Sequence, residues 1–126
     1  MSGQELIEEF LALFPEYNDH YREHIAYYGE LLLHVFCSEV INIPLFDLLK
    51  KNNDSDQIKK YVEFVDHMRL DGDEAARNVV DVTILERLSD DKNVWNNLSS
   101  RISEDFRDYI NKQLIENCAM CHVKHI

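Results

Sequence analysis

Glycine and proline are scarce: 3 and 2 residues in a chain of 126. That is too few for the many tight turns of a strand-rich domain, so helices with short connections are expected. Cysteine is scarce too, and its count of 3 is odd. This argues against a disulfide framework and for a reducing compartment. Cations are the next deficit, with 13 Lys and Arg against 24 Asp and Glu, a formal net charge of −11. Such a field repels phosphates and attracts basic proteins, so direct nucleic-acid binding is not expected. No apolar run approaches the roughly 18 residues of a membrane span. No basic segment followed by an apolar run marks a signal peptide, so a cytoplasmic protein without membrane contact is expected. G-x-S-x-G and glycine-rich phosphate loops are both missing, and nothing supports nucleophilic catalysis. A non-enzyme without cofactors is expected.

What is present is apolar periodicity. Apolar residues make up 45% of the chain, enough for one core and one domain over 1–126. The stretch from Tyr61 to Leu88 organises the rest. Ile58, Val62, Val65 and Met68 recur at helical spacing, with Tyr61 and Phe64 beside them. After the turn signal Asp71-Gly72-Asp73, a second series offers Ala75, Val79, Val82, Leu85 and Leu88 as its buried face, flanked by Val80 and Ile84. The segment VVDVTIL is β-branched but sits inside helical periodicity.

Upstream, Leu6, Ile7, Phe10, Leu13 and Phe14 form one face of a first helix that Pro15 ends. A long aromatic helix is expected from Glu16 to about Val40, with Gly29 marking a kink or a close helix contact and the run from Leu31 to Cys37 buried on most sides. Asn42-Ile43-Pro44 should close it and start a short helix with Leu45, Phe46, Leu48 and Leu49 buried. The polar stretch from Lys50 to Asp56 reads as a loop, with Asp54 or Ser55 capping the next helix. Beyond Leu88, a short piece carries Val94, Trp95 and Leu98. A last helix spans about 99–117, and residues 118–126 form a loose tail. The fold expected is all-α: about six helices in an antiparallel bundle or in stacked helical hairpins.

Three groups of residues carry potential chemistry. Cys118, Cys121, His122 and His125 match the c-type haem attachment spacing, and are better read as weak zinc candidates. All four crowd into eight residues, whereas structural zinc sites draw on separated segments, so no metal is assigned. His20-x-x-Glu23-His24 matches the H-x-x-E-H pattern but lacks an identifiable third ligand, and reads as an exposed polar helix face. His34, Cys37 and His67 are expected to be core residues with hydrogen-bonded imidazoles. The third group is acidic: Asp71, Asp73 and Glu74; Asp90 and Asp91; Glu104, Asp105 and Asp108. Rows of carboxylates like these suit a docking surface for a basic protein.

The segments Glu30-Leu31-Leu32-Leu33-His34-Val35-Phe36 and Asn78-Val79-Val80-Asp81-Val82-Thr83-Ile84-Leu85-Glu86-Arg87-Leu88 resemble a group of small bacterial helical proteins. In that group an HVFF-like stretch precedes a NVVxVTxLExL-like helix. Here Cys37 stands at the departing position of the first stretch, and the likeness covers about residues 5–90. Proteins of this type look like immunity proteins of contact-dependent or polymorphic toxin systems. The resemblance implies a protein that blocks the active site of a cognate basic toxin domain, a nuclease, and implies no catalytic residues. A zinc-binding enzyme or sensor built on the His and Cys clusters is the alternative from another class. A helical adaptor for some other protein partner is a third.

Overall fold

The computed structural model describes residues 1–52, 55–117, 120, 123 and 125–126. Among these the chain is all-α, with seven helices and no strand. Helix α1 is Gly3–Leu13, and a 3₁₀ turn, Pro15–Tyr17, leads into α2, Asn18–Tyr28. Helix α3 runs without interruption through Leu33–Cys37, a π-helical segment Ser38–Asn42, and Ile43–Lys51. Helix α4 is Asp56–Asp71. Helix α5 comprises Glu74–Asn78, a second π segment Val79–Leu85, and Glu86–Leu88. Helix α6 is Lys92–Ser99, and α7 joins Glu104–Asp108 to a third π segment, Tyr109–Ile115.

Helix starts follow local chemistry. Ser2 and Glu5 form a capping box on α1, each side chain accepting the other's backbone N–H. Ser55, Asp73, Asp91 and Ser103 cap α4, α5, α6 and α7 by accepting N–H groups left free in the first turn. Of the two expected caps of α4, Ser55 serves, while Asp54 lies outside the described residues.

One core joins the helices. Leu6, Ile7, Phe10 and Phe14 of α1 pack on α4, where Ile58, Tyr61, Phe64, Val65 and Met68 are buried. Phe10 stacks on Phe14 at 4.7 Å and Phe14 on Tyr61 at 4.5 Å. The Tyr61 hydroxyl, too deep for water, bonds the Tyr17 hydroxyl at 2.9 Å. Helix α3 packs against α4, α5 and α6. The C-terminal helix is tied in by Arg69 of α4, which donates to Asp66 and Asp105 at 2.8 and 2.7 Å. The same guanidinium faces the rings of Phe106 and Tyr109 at 5.0 and 5.1 Å. A buried cation is tolerable because both carboxylates and both rings compensate it.

Several expectations are corrected. The long aromatic helix is broken, because Gly29 takes a left-handed φ of 77° and caps α2. Helix α2 is peripheral: Tyr28 is exposed, and only His24 on it is buried. Leu31 to Val35 are half-buried or exposed, so burial on most sides is confined to Phe36 and Cys37. Pro44 ends no helix. It lacks an N–H and would crowd the carbonyl four residues back, but the preceding turn is wound wider, with the Ile43 N–H reaching Ser38 O, five back. The last helix starts at Glu104, leaving Ile102 buried in a connection. In α5 Val79, Leu85 and Leu88 are buried as expected, with Val80 and Ile84 beside them, but Ala76 is buried in place of Ala75, and the wide turn leaves Val82 exposed.

The two glycines at helix ends should fail differently. Gly29 has open space around a Cβ, so Gly29→Ala should lose only the left-handed backbone strain, about 1 kcal/mol. At Gly72 a Cβ would lie 2.4 Å from Met68 O and 2.8 Å from Ala76 Cβ. Gly72→Ala should therefore cost more, ~3 kcal/mol, because the α4–α5 turn must open. Urea midpoints at unchanged slope check both. Equal losses would contradict this reading of the two turns.

Candidate functional site

The two segments that carry the sequence resemblance meet in space. The π segments of α3 and α5 pack against each other. Asn42, 3% exposed, donates from Nδ2 to Thr83 O at 2.6 Å. Its Oδ1 is buried with no partner among the described residues. His34 Nδ1 lies 2.5 Å from the Thr83 hydroxyl. His34 is thus an exposed residue bridging α3 to α5, not the core histidine expected. Along this seam the surface is apolar at its centre: Ile43 is 63% exposed and Val82 52%. Two adjoining hollows open beside them. One, of about 200 Å³, is lined by Ser38, Asn42, Ile43, Phe46 and Arg87. The other, of about 280 Å³, adds Val82, Thr83, Glu86 and Asp90.

The acidic residues divide into two kinds. Asp73 accepts the Ala76 N–H, Asp91 accepts the Asn93 and Val94 N–H groups and pairs with Lys50 at 2.5 Å, and Asp105 holds Arg69. Lys50 and these amides hold the Asp91 carboxyl below its ordinary range. Asp71 lies 2.8 Å from His67 Nδ1, whose Nε2 lies 2.5 Å from Glu9. His67 is hydrogen-bonded as expected, but half-buried at the surface rather than in the core. Glu74, Asp90, Glu104 and Asp108 are exposed and make no ion pair among the described residues. Asp73 and Glu74 flank an open depression with Arg77, Asp81 and Tyr109. Tyr109 donates to Asp81 at 2.7 Å, while burial pushes the Asp81 carboxyl above its ordinary range against that bond. Tyr109 of α7 thus reaches the depression beside the first cluster, and Asp90 joins Glu86 at the seam.

Among the described residues the metal candidates do not assemble. Cys118, Cys121 and His122 lie outside the described residues, and His125 pairs with Glu116 at 3.3 Å. Within His20-x-x-Glu23-His24, His20 Nε2 lies 2.5 Å from Glu39, and Glu23 is exposed. His24 is buried, not part of an exposed face as expected, and its Nε2 accepts the Leu32 N–H at 3.0 Å. The lone pair a metal would need is in use, and the neutral ring then carries its hydrogen on Nδ1. Burial also pushes the Cys37 thiol up to about 12, which keeps it from acting as a thiolate. Among the described residues no group of three or more His, Cys, Asp or Glu could hold a metal. No helix among them is long and apolar enough to cross a membrane.

A family profile described as a domain of unknown function, DUF7674, matches residues 7–116. The chain belongs to this family. The DUF7674 match contains both seam segments and every acidic candidate, whereas the Cys-x-x-Cys-His tail falls beyond it. Neither a curated protein nor a solved structure matches the chain. Neither the seam nor the buried His24 of this DUF7674 domain stands out in the sequence. The seam depends on the wide turns, and His24 reads as one more polar residue on an aromatic helix.

His24 should make stability pH-dependent. Burial holds its pKa below the ordinary 6.5, so the unfolded chain takes up the proton first. Its contribution is complete above about pH 6.5 and is lost as the pH falls through the lower folded-state value. His24→Gln keeps an acceptor for the Leu32 N–H but does not titrate. The fall in Tm between about pH 7.5 and 5.5 should be smaller in the variant than in the wild type. Equal falls would show that His24 is not the group responsible.

Proposed function

We propose that this protein is a cytoplasmic immunity protein. It binds a cognate toxin domain, a basic nuclease, and blocks its active site without turning anything over itself. The observation that carries the reading is a set of carboxylates with no cation of their own among the described residues. These are Glu74 on α5, Glu104 and Asp108 on α7, and Asp90 at the seam, on a chain of net charge −11. Nuclease clefts are positively charged because they hold phosphates, and an acidic plug matches them. Unpaired surface carboxylates steer such a partner in and exclude wrong ones, while a few apolar anchors set tightness. The resemblance of the seam segments to immunity proteins supports the same reading.

The test is association with the toxin domain encoded beside the gene, followed by stopped-flow kinetics. The triple variant Glu74→Gln, Glu104→Gln, Asp108→Lys should slow association several-fold at low salt while costing stability only about 1 kcal/mol from the two first-turn acids. Added salt should slow the wild type toward the variant. Asp73, Asp91 and Asp105 are poor choices for reversal, since they cap helices or hold Arg69. A neighbouring gene without a toxin domain, or association indifferent to both salt and charge reversal, would overturn the proposal.

A further inference from the structure

We propose that the α3–α5 seam is a two-part docking site for a protein segment that presents an apolar side chain next to a lysine or arginine. The proposal deepens the partner-binding reading above and rests on it.

The apolar part is the hollow between Ile43 and Phe46, floored by Ser38 and Asn42. Ile43 is β-branched and rigid, and stands more than half exposed where the wide turn before Pro44 places it. Val82, turned outward by the second π segment, stands across the seam. Rigid aliphatic groups lose little entropy on contact, and a pair of them beside a hollow is the geometry of an interface anchor. Wide helical turns of this kind occur often at functional sites, and here two of them face each other.

The polar part selects the charge of the occupant. Glu86 and Asp90 lie four residues apart, and neither has a counter-ion among the described residues. Two carboxylates lining one hollow repel each other, and an incoming ammonium or guanidinium relieves the repulsion. Asn42 adds an acceptor, because its Nδ2 is committed to Thr83 O and its Oδ1 has no donor among the described residues. A buried acceptor without a donor favours an occupant that brings one. The lining therefore offers two carboxylates and an amide oxygen against one cation, Arg87. Arg87 borders both hollows and pairs with no carboxylate among the described residues. A nucleic acid or an anionic lipid would bring the wrong sign to this rim.

The full chain, labelled for methyl and amide spectra, can be titrated with a synthetic helical peptide of leucine and lysine, with a leucine–glutamate peptide as control. The leucine–lysine peptide should shift Ile43, Val82 and Thr83 first. The double variant Ile43→Ser, Val82→Ser should weaken it about tenfold or more with melting unchanged, since both side chains are at the surface. Glu86→Gln with Asp90→Asn should weaken it about threefold. Arg87→Gln should tighten it about twofold, because a like charge leaves the rim. Equal binding of both peptides, or shifts confined to Glu74, Glu104 and Asp108, would overturn the seam while leaving the acidic-surface reading standing. No binding of the basic peptide anywhere, together with a toxin domain that ignores the protein, would overturn both.

Discussion

A single side-chain hydrogen bond, from Asn42 Nδ2 to Thr83 O, marks the contact on which the functional surface depends. Both ends lie in or beside turns wound wider than an α-helix. Wide turns pair backbone groups five residues apart, and a carbonyl in such a turn can take a second donor on its other lone pair. Asn42 supplies it from the facing helix. The contact sets how α3 and α5 face each other, and with it which residues turn outward. Ile43 and Val82 are exposed for the same reason that Val80 and Ile84 are buried: both segments are wound at a longer period than their neighbours. Helix geometry, packing and surface chemistry are thus consequences of one local departure from regularity.

Where the helix is regular, the sequence can be read directly. On α4 the residues at helical spacing, Ile58, Val62, Val65 and Met68, are the buried ones. On α1 the same holds except for Leu13, which lies at the exposed end of the face. The readings fail where a period of 3.6 is applied to a wider turn. That period places Val82 inside, although the structure leaves it 52% exposed. Pro44 reads as a stop because a regular helix cannot accommodate it, and the π turn removes the carbonyl it would strike. Gly29 is visible as an interruption, but a kink and a left-handed cap are indistinguishable in one dimension. Composition does not single out the buried histidine either. His34 stands in the more apolar run and is exposed, whereas His24 stands among polar residues and is buried by Phe36 and Tyr28.

The acidic character is legible as a total but not residue by residue. Asp73 and Asp91 are helix caps, and Asp105 neutralises the buried Arg69. Their charges belong to the fold. Glu74, Asp90, Glu104 and Asp108 make no ion pair among the described residues, which leaves them available to a partner, although Glu74 and Glu104 also suit the first turns of α5 and α7. A surface that combines them with outward-facing Ile43 and Val82 has the two things a protein interface uses: charge to guide encounter and apolar area to hold it.

Amide hydrogen exchange along the chain tests the dependence of that surface on the α3–α5 contact most directly. In Asn42→Ala, which removes the side-chain donor to Thr83 O, residues 38–42 and 79–85 should lose protection together and by the same factor, while α1 keeps its own. If 38–42 loosens and 79–85 does not, the two wide turns are independent, and the account of how the seam is built is wrong.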